Sequence, residues 1–181
     1  MKYMMLDLSA MRFLLVDDNP NMRMIVRQVL RTLGVRMIEE STNGADALEV
    51  LKVSAVDIII TDWMMQPMDG LEFTQQLRAT GSPTPMIPII MLSGFTEMKR
   101  INEARDIGVT EFLAKPISPK KLYDRIAEII TNPRQFVRAG DFFGPDRRRH
   151  DVEGYSGPQR RDDDIKAKSE GEERDDEWVL N

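Results

Sequence analysis

The side chains best suited to chemistry each stand at the end of a short, strand-like run. Asp17-Asp18 follows Phe13–Val16, Asp62 follows Val56–Thr61, Ser93 follows Ile87–Leu92, and Lys115 follows Glu111–Ala114. A carboxylate that closes a buried run costs several kcal/mol in desolvation unless a cation or hydrogen-bond donors meet it. Three carboxylates on one rim raise that demand. Hard oxygen ligands in this number suit Mg²⁺, which takes a few carboxylates and keeps waters. Phosphoryl transfer requires an in-line nucleophile, a metal that neutralises the equatorial oxygens and a second cation. Asp62, Mg²⁺ and Lys115 supply that set, and Ser93 adds a hydroxyl.

These residues work together only if the chain brings the four run ends to one place. Five strand-like runs, Phe13–Val16, Arg36–Glu39, Val56–Thr61, Ile87–Leu92 and Glu111–Ala114, alternate with helical patterns. Asn19-Pro20 suits a cap and first turn, and Gly34 a stop. Asn43 opens a second helix through Val53, a third covers Gly70–Ala79, and a fourth Glu97–Ile107 before Gly108. Ser118-Pro119 starts a fifth, with Leu122, Ile126, Ile129 and Ile130 on one face. Such alternation predicts βα units around a parallel sheet. Runs apolar at consecutive positions fit strands covered on both faces. Pro88 is placed in the first turn of its strand, where a proline is tolerated. The fold class is a small, doubly wound α/β domain. Ligands in such sheets bind beyond the carboxyl ends of the strands, where the candidate residues fall. The second strand offers only Ser41-Thr42 there.

Four motifs, Val-Asp-Asp-Asn-Pro at 16–20, Asp-Trp-Met-Met-Gln-Pro-Met-Asp-Gly at 62–70, Met-Leu-Ser-Gly at 91–94 and Phe-Leu-Ala-Lys-Pro at 112–116, together resemble the response-regulator receiver domain of two-component signalling. The resemblance spans about residues 10–131 and is to a single-domain, CheY-like regulator. It implies a flavodoxin-like, five-stranded sheet of order 2-1-3-4-5 flanked by five helices. It also implies that Asp62 accepts a phosphoryl group from a histidine kinase or phosphotransfer protein. Asp17, Asp18, Asp62 and the main-chain carbonyl of Met64 would hold Mg²⁺. Ser93 and Lys115 would contact phosphoryl oxygens, and Lys115-Pro116 would be a cis bond. Phe112 stands where the family keeps its mobile aromatic. On phosphorylation the Ser93 hydroxyl would move towards Asp62 and Phe112 would fill the space left. The face of the fourth helix, last strand and fifth helix would thereby repack for a downstream protein target. The family's proline four residues after the acceptor is replaced here by Gln66, with Pro67 next.

The competing enzyme class is a hydrolase that forms an aspartyl phosphate and uses a second Asp two residues on as acid/base. Position 64 is Met, which removes that group. Neither Gly-x-Gly-x-x-Gly nor a P-loop occurs. The expected role is a phosphoacceptor that catalyses only its own phosphorylation and dephosphorylation. It acts either as a switched interaction module or as a phosphate sink or relay intermediate. Among 181 residues there is no cysteine, and the net charge is −5. Both fit a cytoplasmic protein that does not bind nucleic acid generically. No apolar run approaches the roughly 20 residues of a membrane span.

From Asn132 the composition changes to Arg, Asp, Glu, Gly and Pro. The sequence therefore predicts a globular core ending near Thr131 and a largely disordered tail over 132–181. No DNA-binding module is expected in so short a stretch. The tail carries an imperfect repeat, Gly-Pro-x-Arg-Arg-x-x-Asp, at 144–151 and 157–164, then an acidic end over 162–181. Three readings of it stay open: a solvated polyampholyte tether, a docking segment for a protein, or a site for cyclic di-GMP. In the last, Arg147, Arg148, Arg160 and Arg161 would bond and stack on guanine, as arginine-rich tails of some chemotaxis-type receivers do.

Overall fold

In the computed structural model the described residues are 6–79, 81–82, 84–94, 98–139 and 142–146; the side chains of 98–100 and 139 are not among them. Five strands, β1 (Arg12–Val16), β2 (Met37–Ser41), β3 (Ile58–Asp62), β4 (Ile89–Ser93) and β5 (Glu111–Ala114), form one parallel sheet of order β2-β1-β3-β4-β5. Helices α1 (Pro20–Thr32), α2 (Gly44–Val53), α3 (Gly70–Arg78), α4 (Met98–Ile107) and α5 (Pro119–Thr131) alternate with them. The doubly wound class and the strand order are as expected.

Side chains of successive strand residues point to opposite faces, and here both faces are apolar. Phe13 and Leu15, Ile58 and Ile60, and Ile90 and Leu92 pack with Val26 and Leu30 of α1 and Leu122, Ile126 and Ile129 of α5. Leu14, Val16, Ile59 and Ile89 turn the other way, onto Ala47 and Leu51 of α2 and Phe73 and Leu77 of α3. Burying each such large apolar side chain contributes about 1.5–3 kcal/mol before entropy is counted.

Helix starts follow the cap residues. The Asn19 side chain accepts hydrogen bonds from the Asn21 and Met22 N–H groups, with Pro20 at the first turn. Asn43 and Ser118 cap α2 and α5. Asp69 and Glu72 form a reciprocal capping box at α3.

Register corrects some boundaries. β2 runs to Ser41 because Val16 pairs with Ser41, rather than ending at Glu39. β4 begins at Ile89, so Pro88 lies just ahead of the strand, where its carbonyl accepts from Ile59 N–H at 2.9 Å.

The larger correction concerns the C-terminal stretch. Within the expected tail, β6 (Phe136–Ala139) and β7 (Phe142–Pro145) pair antiparallel, so described structure continues past Thr131 to Asp146. Apolar contact explains why a charged stretch holds structure here. Phe136 and Phe143 meet with ring centroids 5.8 Å apart, and the Arg78 guanidinium lies 4.9 Å from the Phe136 ring centroid. Gly144 approaches Gly108 so closely that a Cβ would stand 2.8 Å from the Gly108 Cα.

Arg78 is buried, and its guanidinium donates hydrogen bonds to three carbonyls: Gly108 at 3.2 Å, Pro85 at 2.6 Å and Ile87 at 2.8 Å. Burial pulls its pKa down to about 9, which leaves it cationic at neutral pH. Arg78→Ala would strand those carbonyls and remove the cation beneath Phe136. Urea unfolding should show a loss of about 2–4 kcal/mol; a loss under about 0.5 kcal/mol, the range of ordinary surface changes, would show that the hairpin and Arg78 contribute nothing to the fold.

Candidate functional site

The sheet register builds the site. Val16 pairs with Thr61, so Asp17 and Asp62 leave adjacent strand ends together. Asp62 pairs with Leu92 and Ser93 with Ala114, so Ser93 and Lys115 follow on the same rim. Main-chain bonds extend the ladder past the strands: Asp17 N–H to Ser41 at 3.2 Å, Trp63 N–H to Leu92 at 3.0 Å and Lys115 N–H to Ser93 at 2.9 Å.

Lys115 Nζ lies 2.8 Å from Asp62 Oδ1 and 3.8 Å from Asp17 Oδ2. Asp62 Oδ1 also accepts from the Trp63 N–H at 2.8 Å. Asp17 is fully buried; its Oδ1 accepts from Asn19 N–H at 2.8 Å, while its Oδ2 accepts no hydrogen bond. Burial pushes the Asp17 carboxyl above its usual range, and the neighbouring Asp62 charge adds to the rise. The Asn19 N–H and Lys115 oppose it.

One lysine therefore faces an excess of negative charge. Ligand atoms of Asp17, Asp18 and Asp62 all lie within 4.8 Å of one another. With the unsatisfied Asp17 Oδ2 among them, this donor set fits a divalent cation of the hard, oxygen-seeking kind. Asp18 is exposed, leaving the cluster open to solvent on that side.

Met64, whose carbonyl was the fourth expected ligand, follows two residues after Asp62 with its side chain 58% exposed. Ser93 is buried at the tip of β4. Phe112 is half-buried on β5, its ring 6.5 Å from that of Trp63. The bonds Lys115-Pro116 and Gln66-Pro67 are both cis; the first was expected, the second was not. Arg147, Arg148, Arg160 and Arg161 lie outside the described residues.

Sequence reasoning missed the supports. Trp63 packs with Met91, Ala104 and Val109, joining the Asp62 strand to α4 and to Phe112. The Arg23 guanidinium donates to the Asp17 carbonyl at 2.7 Å and is drawn to Glu40, holding α1 and β2 at the rim. Gly70 abuts the Asp62 carbonyl so tightly that any Cβ would overlap it. Only Gly70 carried a readable signal, as the glycine closing the Asp62 loop.

A family model described as the response regulator receiver domain matches residues 13–127. The chain belongs to the receiver-domain family. Chemotaxis protein CheY-3 of Vibrio cholerae is 33% identical over 119 residues, 66% of this chain and 91% of that protein. Chemotaxis protein CheY of Pseudomonas aeruginosa is 32% identical over the same length, 66% of this chain and 95% of that protein. Among solved structures, the chemotaxis response regulator CheY4 of V. cholerae superposes with a TM-score of 0.61 at 30% identity, covering 66% of this chain and 98% of its own. The receiver domain of a P. aeruginosa sensor histidine kinase, solved with a magnesium ion coordinated in its active-site cleft, gives 0.58 at 28% identity, covering 65% and 94%. Receiver domains are signalling modules rather than turnover enzymes. The β6–β7 hairpin lies beyond the residues matched by the family. Among the described residues no helix is long and apolar enough to cross a membrane.

The raised Asp17 pKa carries a stability consequence. A carboxyl whose folded pKa exceeds its unfolded value contributes stability fully present below the unfolded pKa and lost as pH rises through the folded one. At neutral pH and without metal, wild-type protein has lost that contribution, whereas an amide keeps it. Asp17→Asn should raise the metal-free Tm by several degrees at pH 7, and the gap should narrow as pH falls towards the unfolded carboxylate range. A variant no more stable than wild type at pH 7 would contradict the charge excess.

Proposed function

We propose that this receiver is a phosphorylation-activated response regulator in which Asp62 is the phosphoacceptor. The observation that carries the reading is the 2.8 Å pair between Lys115 and Asp62 beside the Asp17-Asp18-Asp62 cluster. The donor is the phosphohistidine of a histidine kinase or phosphotransfer protein. A carboxylate oxygen of Asp62 attacks phosphorus while the P–N bond breaks, and the imidazole leaves with the bonding electron pair. Asp17, Asp18, Asp62 and the Met64 carbonyl would hold Mg²⁺, whose contribution is to offset charge on the phosphoryl oxygens. Lys115 gives the second cation, already placed against the acceptor.

The switch follows from position. Ser93, buried at the neighbouring strand tip, is one pairing step from Asp62, and its hydroxyl would bond the new phosphoryl group. Phe112 is half-buried against Trp63, able to move inward as Ser93 leaves its resting place. The surface of α4, β5 and α5 then changes shape, and a downstream protein target binds there.

Incubation with acetyl phosphate and Mg²⁺ should add one phosphoryl group per chain, detected by intact-mass spectrometry, and Asp62→Asn should abolish it. Lys115→Met should slow labelling by roughly tenfold or more, as loss of a preorganised charge at a transferring phosphoryl group does. Full labelling of Asp62→Asn would overturn the assignment.

A further inference from the structure

The β6–β7 hairpin is fixed to the same elements that a switch at Asp62 must move. Trp63, next to the acceptor, packs with Ala104 and Val109 at the end of α4 and with Phe112. Gly108 lies between those two α4 contacts in sequence and takes a φ of 105°, where L side chains are strained. Its other neighbours are the hairpin and Arg78. A Cβ on Gly108 would press on the Phe143 carbonyl and the Arg78 stem at 3.1 Å, and one on Gly144 would strike Gly108. Arg78 ties the parts together, donating to Gly108 after α4 and to Pro85 and Ile87 ahead of β4, while lying against Phe136. β4 in turn ends on Ser93. The hairpin therefore meets the end of α4 and, through Arg78, the segment that enters the Ser93 strand.

We infer that the β6–β7 hairpin is a clasp on the α4 end, seated against Gly108 and Arg78, which favours the unphosphorylated arrangement and loosens when Asp62 is phosphorylated. This rests on the phosphoacceptor reading above. In the arrangement that seats the hairpin, Lys115 Nζ lies 2.8 Å from Asp62 Oδ1, the contact that a phosphoryl group on Asp62 would have to share. Any shift of α4 that follows Phe112 and Trp63 also shifts Gly108, and the close Gly108–Gly144 contact leaves no slack to absorb it. Coupling is reciprocal: if phosphorylation loosens the clasp, loosening the clasp must favour phosphorylation by the same factor. Directly after β7 the sequence continues as Arg147-Arg148-Arg149, so the clasp would link the state of Asp62 to the arginine-rich stretch.

The test uses the full chain with Mg²⁺ and beryllofluoride as the phosphoryl mimic. Fluorine NMR reports whether the mimic is bound, and hydrogen exchange reports on the amides of β6 and β7. In wild type, bound mimic should speed exchange in the hairpin several-fold. Gly144→Val, which cannot seat against Gly108, and the milder Phe136→Ala should each tighten mimic binding by about fivefold, at the low end of usual coupling. A merely structural hairpin would lower stability in both variants without moving that affinity. With bound mimic seen by fluorine NMR, unchanged hairpin exchange in wild type, or wild-type mimic affinity in the folded variants, overturns the clasp alone. No bound fluorine signal in wild type would overturn the phosphoacceptor reading, and the clasp with it.

Discussion

Three carboxylates meet one lysine at the carboxyl edge of the sheet, and that imbalance of charge is what the surrounding structure is built to hold. Lys115 reaches Asp62 at 2.8 Å but stands 3.8 Å from Asp17, whose second oxygen is buried without a donor. Desolvated like charges tend to relax by protonation, by moving apart or by gathering a cation. The sheet prevents separation. Register sets Asp17 beside Asp62, and apolar cover on both faces fixes the register. Asn19, Arg23 and Gly70 hold the loops that leave those strands. What remains is a strong preference for positive charge at the rim.

A second constraint acts across the molecule, at the ends of α3 and α4. Arg78 is buried, and its hydrogen bonds go to three main-chain carbonyls. Burial costs this cation its hydration, and the face of Phe136 in the hairpin offsets part of that cost by a cation–π contact. The two constraints share α4: its end packs on Trp63 beside Asp62, and the hairpin touches Gly108 just after it. A receiver that ended at α5 would leave Arg78 and the end of α4 more open.

Much of this is legible in the sequence, for reasons that can be named. Strand-end placement of Asp17, Asp62, Ser93 and Lys115 is visible because buried parallel strands read as short apolar runs and their polar terminators stand out. Caps at Asn19, Asn43 and Ser118 announce the helices. Supports such as Trp63 and Arg23 are not legible, since an aromatic after a strand or an arginine in a helix carries no local mark of its partner. The hairpin was hidden by composition. Arg138, Asp141 and the arginines that follow make the stretch read as solvated, while its order comes from Phe136, Phe143 and Gly144 finding Arg78 and Gly108, contacts about 36 to 58 residues away in sequence that no local pattern reveals.

The charge imbalance is the central claim, and calorimetric titration of the unphosphorylated protein with Mg²⁺ tests it most directly. One ion should bind per chain, with binding sharply weakened in both Asp17→Asn and Asp62→Asn, each of which removes one of the clustered carboxylates. No heat of binding in wild type, or an ion held with wild-type affinity after either substitution, would contradict it.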